Sequence, residues 1–137
     1  VSAPHERTPA EIVRAHYDAS SRGDLPEMLA AVAPDARWTE MAGFPCAGTW
    51  IGPQEVSDHV FAVLGRDWQD YRFTLERLID AGDTVVGIGT YTGTFRATGK
   101  AMAARVAHVW QVSNARVVAF EQFTDTLLVT QAMRTRT

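Results

Sequence analysis

Glu40 stands two residues after Trp38 in the run Ala36-Arg37-Trp38-Thr39-Glu40-Met41, just ahead of a lip containing Gly43 and Pro45. Strand side chains alternate with period 2, so Trp38 and Glu40 share one face. A carboxylate beside an indole at the mouth of an apolar pocket suits a general base, because burial lifts its pKa toward neutrality. The competing reading puts Glu40 on the solvent side with Trp38 half covered. His108 is the second candidate, mid-strand between Val106 and Trp110 on one face. There it could donate to a developing oxyanion or shuttle a proton near neutral pH, or be a satisfied core histidine. Asp125 is the third. It ends the last strand-like run, and ahead of Thr126-Leu127-Leu128 it is also a good helix N-cap.

Around these sit residues able to hold a ligand. Tyr17 and His16 offer hydrogen bonds from the first helix. Trp38, Trp50 and Trp110 could floor a flat ring, although a tryptophan serves equally as core. Phe61 lies on the apolar face of the third helix, and Phe120 and Gln122 alternate on the last strand. Cys46, the single cysteine, reads as a small hydrophobe, and one cysteine excludes an internal disulfide framework. The four histidines, His5, His16, His59 and His108, show no metal-ligand spacing. There is no G-x-S-x-G nucleophile motif. Gly87-Ile88-Gly89 lacks the third glycine of a phosphate loop and does not lead into a helix.

With 137 residues, 46% of them hydrophobic, the chain suits one domain with one core. A net charge of −3, with Lys100 the only lysine, argues against nucleic acid as a partner. No apolar run approaches 18 residues, so no membrane partner is expected, and a reducing, cytoplasmic setting fits.

The elements that must position the candidates can be read in order. Thr8-Pro9-Ala10-Glu11 opens a helix ended by Gly23, and Asp24-Leu25-Pro26-Glu27 opens a second that runs to about Ala33. A strand follows over Ala36–Met41. Gly52-Pro53 opens a third helix that Gly65 closes. Period-2 patterning then takes over from Tyr71, with one face holding Tyr71, Phe73, Leu75, Arg77 and Ile79. Further strands run over Thr84–Thr98, Met102–Val112 and Arg116–Asp125, with turns at Ala81-Gly82-Asp83 and Thr98-Gly99-Lys100. Gly87, Gly89 and Gly93 share one strand face, where they leave room in a pocket or let the strand bend. A two-residue turn at Asn114-Ala115 pairs His108 with Glu121 but asks Ala115 for a positive φ. A three-residue turn shifts the register by one and groups His108 with Phe120, Gln122 and Thr124. Helices followed by strands argue an α+β fold, with helices on one face of a curved sheet.

The order of elements carries a resemblance. So do Tyr17…Arg22-Gly23-Asp24-Leu25, Trp50-Ile51-Gly52-Pro53, and the ending Val106-Ala107-His108-Val109-Trp110…Phe120-Glu121-Gln122-Phe123-Thr124-Asp125-Thr126. From Pro9 to Thr126 the chain resembles SnoaL-like proteins of the nuclear-transport-factor-2-like superfamily, which includes ketosteroid isomerase, polyketide cyclases and limonene epoxide hydrolase. The resemblance implies a cone-shaped α+β barrel, with about three N-terminal helices on a curved, mostly antiparallel sheet around a pocket. It implies a homodimer through the outer sheet face and chemistry without a cofactor. Glu40 falls where ketosteroid isomerase keeps its base. The oxyanion-holding tyrosine falls at His16 or Tyr17, and the protonated acid at His108 or Ala107, neither of them an acid. The acid/base aspartate of the polyketide cyclases has Gln122 and Asp125 as its nearest positions.

The expectation is a single domain that moves a proton next to the carbonyl of a small cyclic hydrophobic ligand, by isomerisation, cyclisation or dehydration. Glu40 takes the proton and His108, helped by His16 or Tyr17, holds the enolate oxygen. A non-catalytic binding protein on the same fold is the alternative. Epoxide opening through Arg105 and Asp125 is a third reading, for which a second aspartate is missing.

Overall fold

Helix α1 (Pro9–Ser21) begins with the capping box its sequence announces. The Thr8 side chain accepts from the Glu11 N–H at 3.2 Å, and the Glu11 carboxylate accepts from the Thr8 N–H at 2.8 Å. The computed structural model describes residues 6–135. Val1–His5, which include one of the four histidines, and Arg136 and Thr137 lie outside the described residues.

Asp24 caps α2 (Leu25–Met28) by accepting from the Glu27 N–H, but that helix is a single turn. The extension to Ala33 is wrong, because Val32 already belongs to strand β1 (Val32–Glu40). The Val117 N–H donates to Ala31 O at 2.8 Å and Val32 pairs with Val117, so long-range strand pairing overrides a local helix signal. Pro34 and Asp35 fall within an irregularity of this pairing. Strand β2 (Gly48–Ile51) follows. Helix α3 (Gly52–Val56), a π-helical turn over Ser57–Phe61 and α4 (Ala62–Asp67) then run on consecutively. The helical stretch thus passes Gly65, its expected end. Burial of Leu64 and Trp68 on either side offsets the cost of about 1 kcal/mol that glycine carries inside a helix.

Strands β3 (Trp68–Ala81), β4 (Thr84–Phe95), β5 (Ala101–Ser113) and β6 (Arg116–Thr124) form the expected antiparallel meander, and α5 (Thr126–Met133) is the last element among the described residues. Among the described residues the sheet order is β2-β1-β6-β5-β4-β3, with only β1 and β6 parallel. It is a curved, open α+β sheet of six strands. α1 packs against β3, β4 and β5, and α3 against β1. In β3 the alternation holds for Tyr71, Phe73 and Leu75 and then breaks at a register shift before Arg77. Arg77 is exposed and Leu78 packs on the core instead.

The β5–β6 hairpin combines both of its sequence alternatives. Asn114 and Ala115 form the tight turn, with φ of 51° and 60°, and Ser113 pairs with Arg116. One extra residue in β6 then shifts the pairing between Gln111 and Val112, so His108 faces Gln122 rather than Glu121. Among the described residues no helix is long and apolar enough to cross a membrane.

Gly87 and Gly89 settle what their missing side chains are for. A Cβ at Gly87 would overlap the Tyr17 hydroxyl, and one at Gly89 would overlap Thr74 O and the Phe73 ring. The space holds protein side chains, which lets α1 and β3 close onto β4. Gly87→Ala is therefore expected to destabilise the fold by about 1–3 kcal/mol, the usual cost of overpacking. Chemical denaturation checks this; unchanged stability would mean that Tyr17 has another place to go.

Candidate functional site

Strand alternation carries Glu40 to the concave face beside Trp38, and both are buried, at 3% and 2% exposure. β6 places Gln122 next to Glu40, and its side chain is fully buried. Its amide is oriented by its neighbours. The Met41 N–H donates to Gln122 Oε1 at 3.3 Å, which leaves Nε2 to donate to Glu40 Oε1 at 3.4 Å and to the Tyr91 hydroxyl at 2.8 Å. The Cys46 thiol donates to the same Glu40 oxygen at 3.6 Å. The chain of contacts continues from Tyr91. Its hydroxyl lies 2.7 Å from His108 Nε2, and the Tyr17 hydroxyl lies 2.8 Å from His108 Nδ1. Trp110 Nε1 donates to the Tyr17 hydroxyl at 2.9 Å. One polar chain thus runs Trp110–Tyr17–His108–Tyr91–Gln122–Glu40–Cys46 through an aromatic interior.

The rings around this chain are tightly packed. Phe120 stacks on Trp38 with centroids 3.9 Å apart, Trp110 meets Phe120 edge-on at 4.7 Å, and Phe73 lies 4.6 Å from His108. Phe61 meets Trp38 edge-on at 6.0 Å. This low-dielectric enclosure governs the protonation states. Burial raises the Glu40 pKa from 4.5 to about 8, against smaller lowering by Cys46 and Trp38. Trp38 Nε1 thus lies near the carboxyl without reaching hydrogen-bond geometry. Burial, with a smaller effect of His16, holds His108 well below the usual histidine range. It also raises the hydroxyls of Tyr17, Tyr71 and Tyr91, and the Cys46 thiol, the last helped by Glu40. The ion pairs seen among the described residues, Arg22–Asp24, Arg66–Asp67 and Arg105–Glu76, do not involve Glu40.

The other sequence candidates divide. His16 is buried, but its Nδ1–H donates to Met28 O at 3.0 Å, tying α1 to α2, while its ring packs on Trp110. Burial lowers its pKa from 6.5 to about 4. Trp50 sits apart from the polar chain: its indole N–H donates to Cys46 O and its ring stacks on the exposed His59. Asp125 is not brought inside. It is exposed and accepts from the Leu128 N–H as the N-cap of α5, so its carboxylate is used by the helix end. Arg105 points outward to Glu76, and no Asp–Arg–Asp set forms around it.

Sequence reading missed Tyr71 and Tyr91. Tyr91 shares its strand face with Gly87, Gly89 and Gly93, so the period that flagged those glycines could have found it. The Tyr71 hydroxyl is buried near that of Tyr91, just short of hydrogen-bond geometry, and the indole N–H of Trp68 is buried without a hydrogen-bond partner. Among the described residues no three His, Cys, Asp or Glu side chains gather as a metal site would need. A concavity of about 590 Å³ lies between α5 and the start of β5, and another of about 20 Å³ lies beside His16. Neither is lined by Glu40, Tyr91 or His108. The polar chain is closed over, with Phe44 of the lip buried 5.8 Å from Tyr91.

Solved structures share this architecture. An NTF2-like protein from Burkholderia thailandensis E264 is 57% identical, over 93% of this chain and 98% of that one, with a TM-score of 0.92. TerC, co-crystallised with polyporic acid, is 22% identical over 92% of this chain and 98% of its own, with a TM-score of 0.82. A putative SnoaL-like polyketide cyclase from Shewanella putrefaciens CN-32 is 17% identical over 91% and 95%, with a TM-score of 0.74. No curated protein matches the chain. Residues 13–120 match the SnoaL-like domain, and with the cone of helices on a curved sheet around Glu40 the chain belongs to that family.

Proposed function

We propose that this protein is a cofactor-independent acid/base enzyme that moves a proton next to the carbonyl of a small cyclic hydrophobic compound. One observation carries the reading: a carboxyl with no cation beside it among the described residues is buried in an aromatic interior, with a pKa of about 8. That value suits a group that must both take up and give back a proton near neutrality. Gln122 and Cys46 occupy Oε1 of Glu40, which leaves Oε2 to exchange the proton. The aromatic walls exclude water and Trp38–Phe120 offers a flat surface to a planar substrate. Access requires the Gly43–Ala47 lip to move Phe44 aside. The polyporic acid held by TerC and the cyclase description of the Shewanella protein support a cyclic, oxygenated ligand.

A binding role without catalysis is the second reading. It is favoured by His108, the group opposite Glu40, whose two ring nitrogens are both engaged by tyrosine hydroxyls. We also propose a homodimer through the outer sheet face, where Phe123 is 43% exposed beside the half-buried Val109.

Proton abstraction is read directly as deuterium uptake at the α-carbon of planar cyclic ketones. The protein is expected to catalyse uptake, with a rate rising as pH climbs toward about 8, where Glu40 ionises. Glu40→Gln is expected to lose at least a hundredfold of it. Ketone binding with no uptake at any pH would favour the binding role.

The same carboxyl makes stability depend on pH. Its folded pKa of about 8 lies above the unfolded 4.5, so its contribution is complete at low pH and is lost as pH rises through that window. His16, lowered to about 4, acts in the opposite sense below 6.5, where stability is lost as pH falls. Between 6.5 and 8 the Glu40 effect stands alone. Wild-type protein is expected to lose stability across that interval while Glu40→Gln stays level and is the more stable by on the order of 3 kcal/mol near neutrality. Parallel urea titrations at several pH values check this.

For the dimer, Phe123→Glu is expected to yield monomers in sedimentation analysis with the fold unchanged by circular dichroism. A wild-type monomer at all concentrations would dismiss that arrangement.

A further inference from the structure

Strand β5 outruns its neighbour β6. On the β4 side its pairing continues to Ala101, opposite Thr94, but on the β6 side it begins only at Val106, opposite Thr124. Residues 101–105 therefore have one edge that no strand covers among the described residues. Two backbone bonds fix which groups face that edge. The Phe95 N–H donates to Lys100 O at 3.0 Å, so Lys100 faces β4. The Asp125 N–H donates to Arg105 O at 3.3 Å, and the Thr124 hydroxyl donates to the same oxygen at 2.8 Å, so Arg105 faces the β6 side. Backbone groups alternate along a strand, which turns Ala103 and Ala101 the same way as Arg105. Past Arg105 their N–H and C=O groups meet no ladder.

Beside this edge lies the concavity of about 590 Å³ between β5 and α5. Met102, Leu128 and Ala132 give it apolar walls, and Leu128 is 40% exposed. Lys100 and Arg134 stand together at one end, where the Thr98 hydroxyl donates to Ala132 O and ties α5 to the β4–β5 turn. No acidic side chain lines the groove, and neither cation joins an ion pair among the described residues. We propose that the groove binds the free C-terminal end of a partner peptide, which adds to residues 101–105 as a short antiparallel strand and sets its carboxylate between Lys100 and Arg134. Antiparallel addition is the direction β6 already takes, and it carries the last residue of the peptide to the Lys100 end. Main-chain bonds to Ala101 and Ala103 supply affinity. The cations select a carboxylate over an amide, and alternate side chains that face Met102 and Leu128 are apolar. At a rise of about 3.4 Å per residue, about four residues fill the edge. The edge stops where Thr124 takes over, which suits a peptide end rather than the larger area of a subunit interface. The groove shares no residue with the polar chain around Glu40, so it stands whether or not Glu40 is a base.

The probe is a pool of short fluorescein-labelled peptides with free C-termini, randomised over their C-terminal residues. Selection on the wild-type protein is expected to enrich sequences with apolar side chains at alternate positions. In fluorescence anisotropy the enriched peptide should bind about tenfold more weakly once its carboxylate is amidated. Lys100→Gln combined with Arg134→Gln should cost the acid about as much and leave the amide unmoved. Ala103→Pro removes an N–H that faces the groove and none that faces β4, so it should weaken binding by about tenfold or more. If that variant fails to fold, Leu128→Asp, at an exposed helix position, takes its place with the same loss expected. The proposal is overturned if selection enriches nothing over the doubly substituted protein, if the amide binds as tightly as the acid, or if the folded groove variant binds like wild type. It is also overturned if octanoate binds in calorimetric titration where no peptide does, which makes the occupant a small amphiphile. A wild-type dimer in sedimentation that Ala103→Pro alone dissociates makes it a second copy, with the same consequence.

Discussion

A carboxyl group without a cation, enclosed by aromatic rings, is the constraint around which the interior is built. Taking a carboxylate out of water is expensive, and a site that offers no positive partner leaves protonation as the cheapest relief. The neighbours of Glu40 follow the same logic. Gln122, Cys46 and Trp38 all offer neutral donors, which steady the carboxyl without the full charge of an ion pair. Behind them His108 is kept neutral by burial, and the two tyrosines that flank it are kept protonated. The result is an interior of neutral polar groups that carries almost no net charge.

Small features of the backbone make that interior possible. The extra residue in β6 turns Gln122, rather than Glu121, toward His108. Without it the strand would face a second carboxyl into the core and the amide to solvent. Gly87 gives Tyr17 its place against β4, and Gly89 does the same for Phe73. The bulge in β3 lets Tyr71 and Leu75 stay inside while Arg77 turns out. Each is a local irregularity whose effect is read several strands away, because packed side chains transmit position with little slack.

Membership of the SnoaL-like family accounts for the cone but not for the chemistry, since one fold hosts many reactions. The site distinguishes this chain. His108 is sequestered between the hydroxyls of Tyr17 and Tyr91. Tyr71 on β3 and Tyr91 on β4 stand close enough to Glu40 for its charge to raise both hydroxyls.

Local chemistry was legible where it acts over a few residues. The capping box at Thr8 and Glu11, the turn at Gly82 and the N-cap role of Asp125 depend on neighbours along the chain, and all were readable in the sequence. The facing of Trp38 and Glu40 was readable too, because period 2 survives in a regular strand. What the sequence could not hold is anything decided by a partner far away. The second helix stops after one turn because β6 claims the following residues, and α4 continues past Gly65 because Leu64 and Trp68 find a core. The register that seats His108 against Gln122 needed both the turn and the bulge. Where Tyr71 and Tyr91 lie relative to Glu40 was decided only when the curvature of the open sheet brought β3 and β4 toward β1. Helix caps and turns are short-range and are written in adjacent residues; burial, register, the long-range hydrogen bonds and proton affinity are properties of the assembled interior.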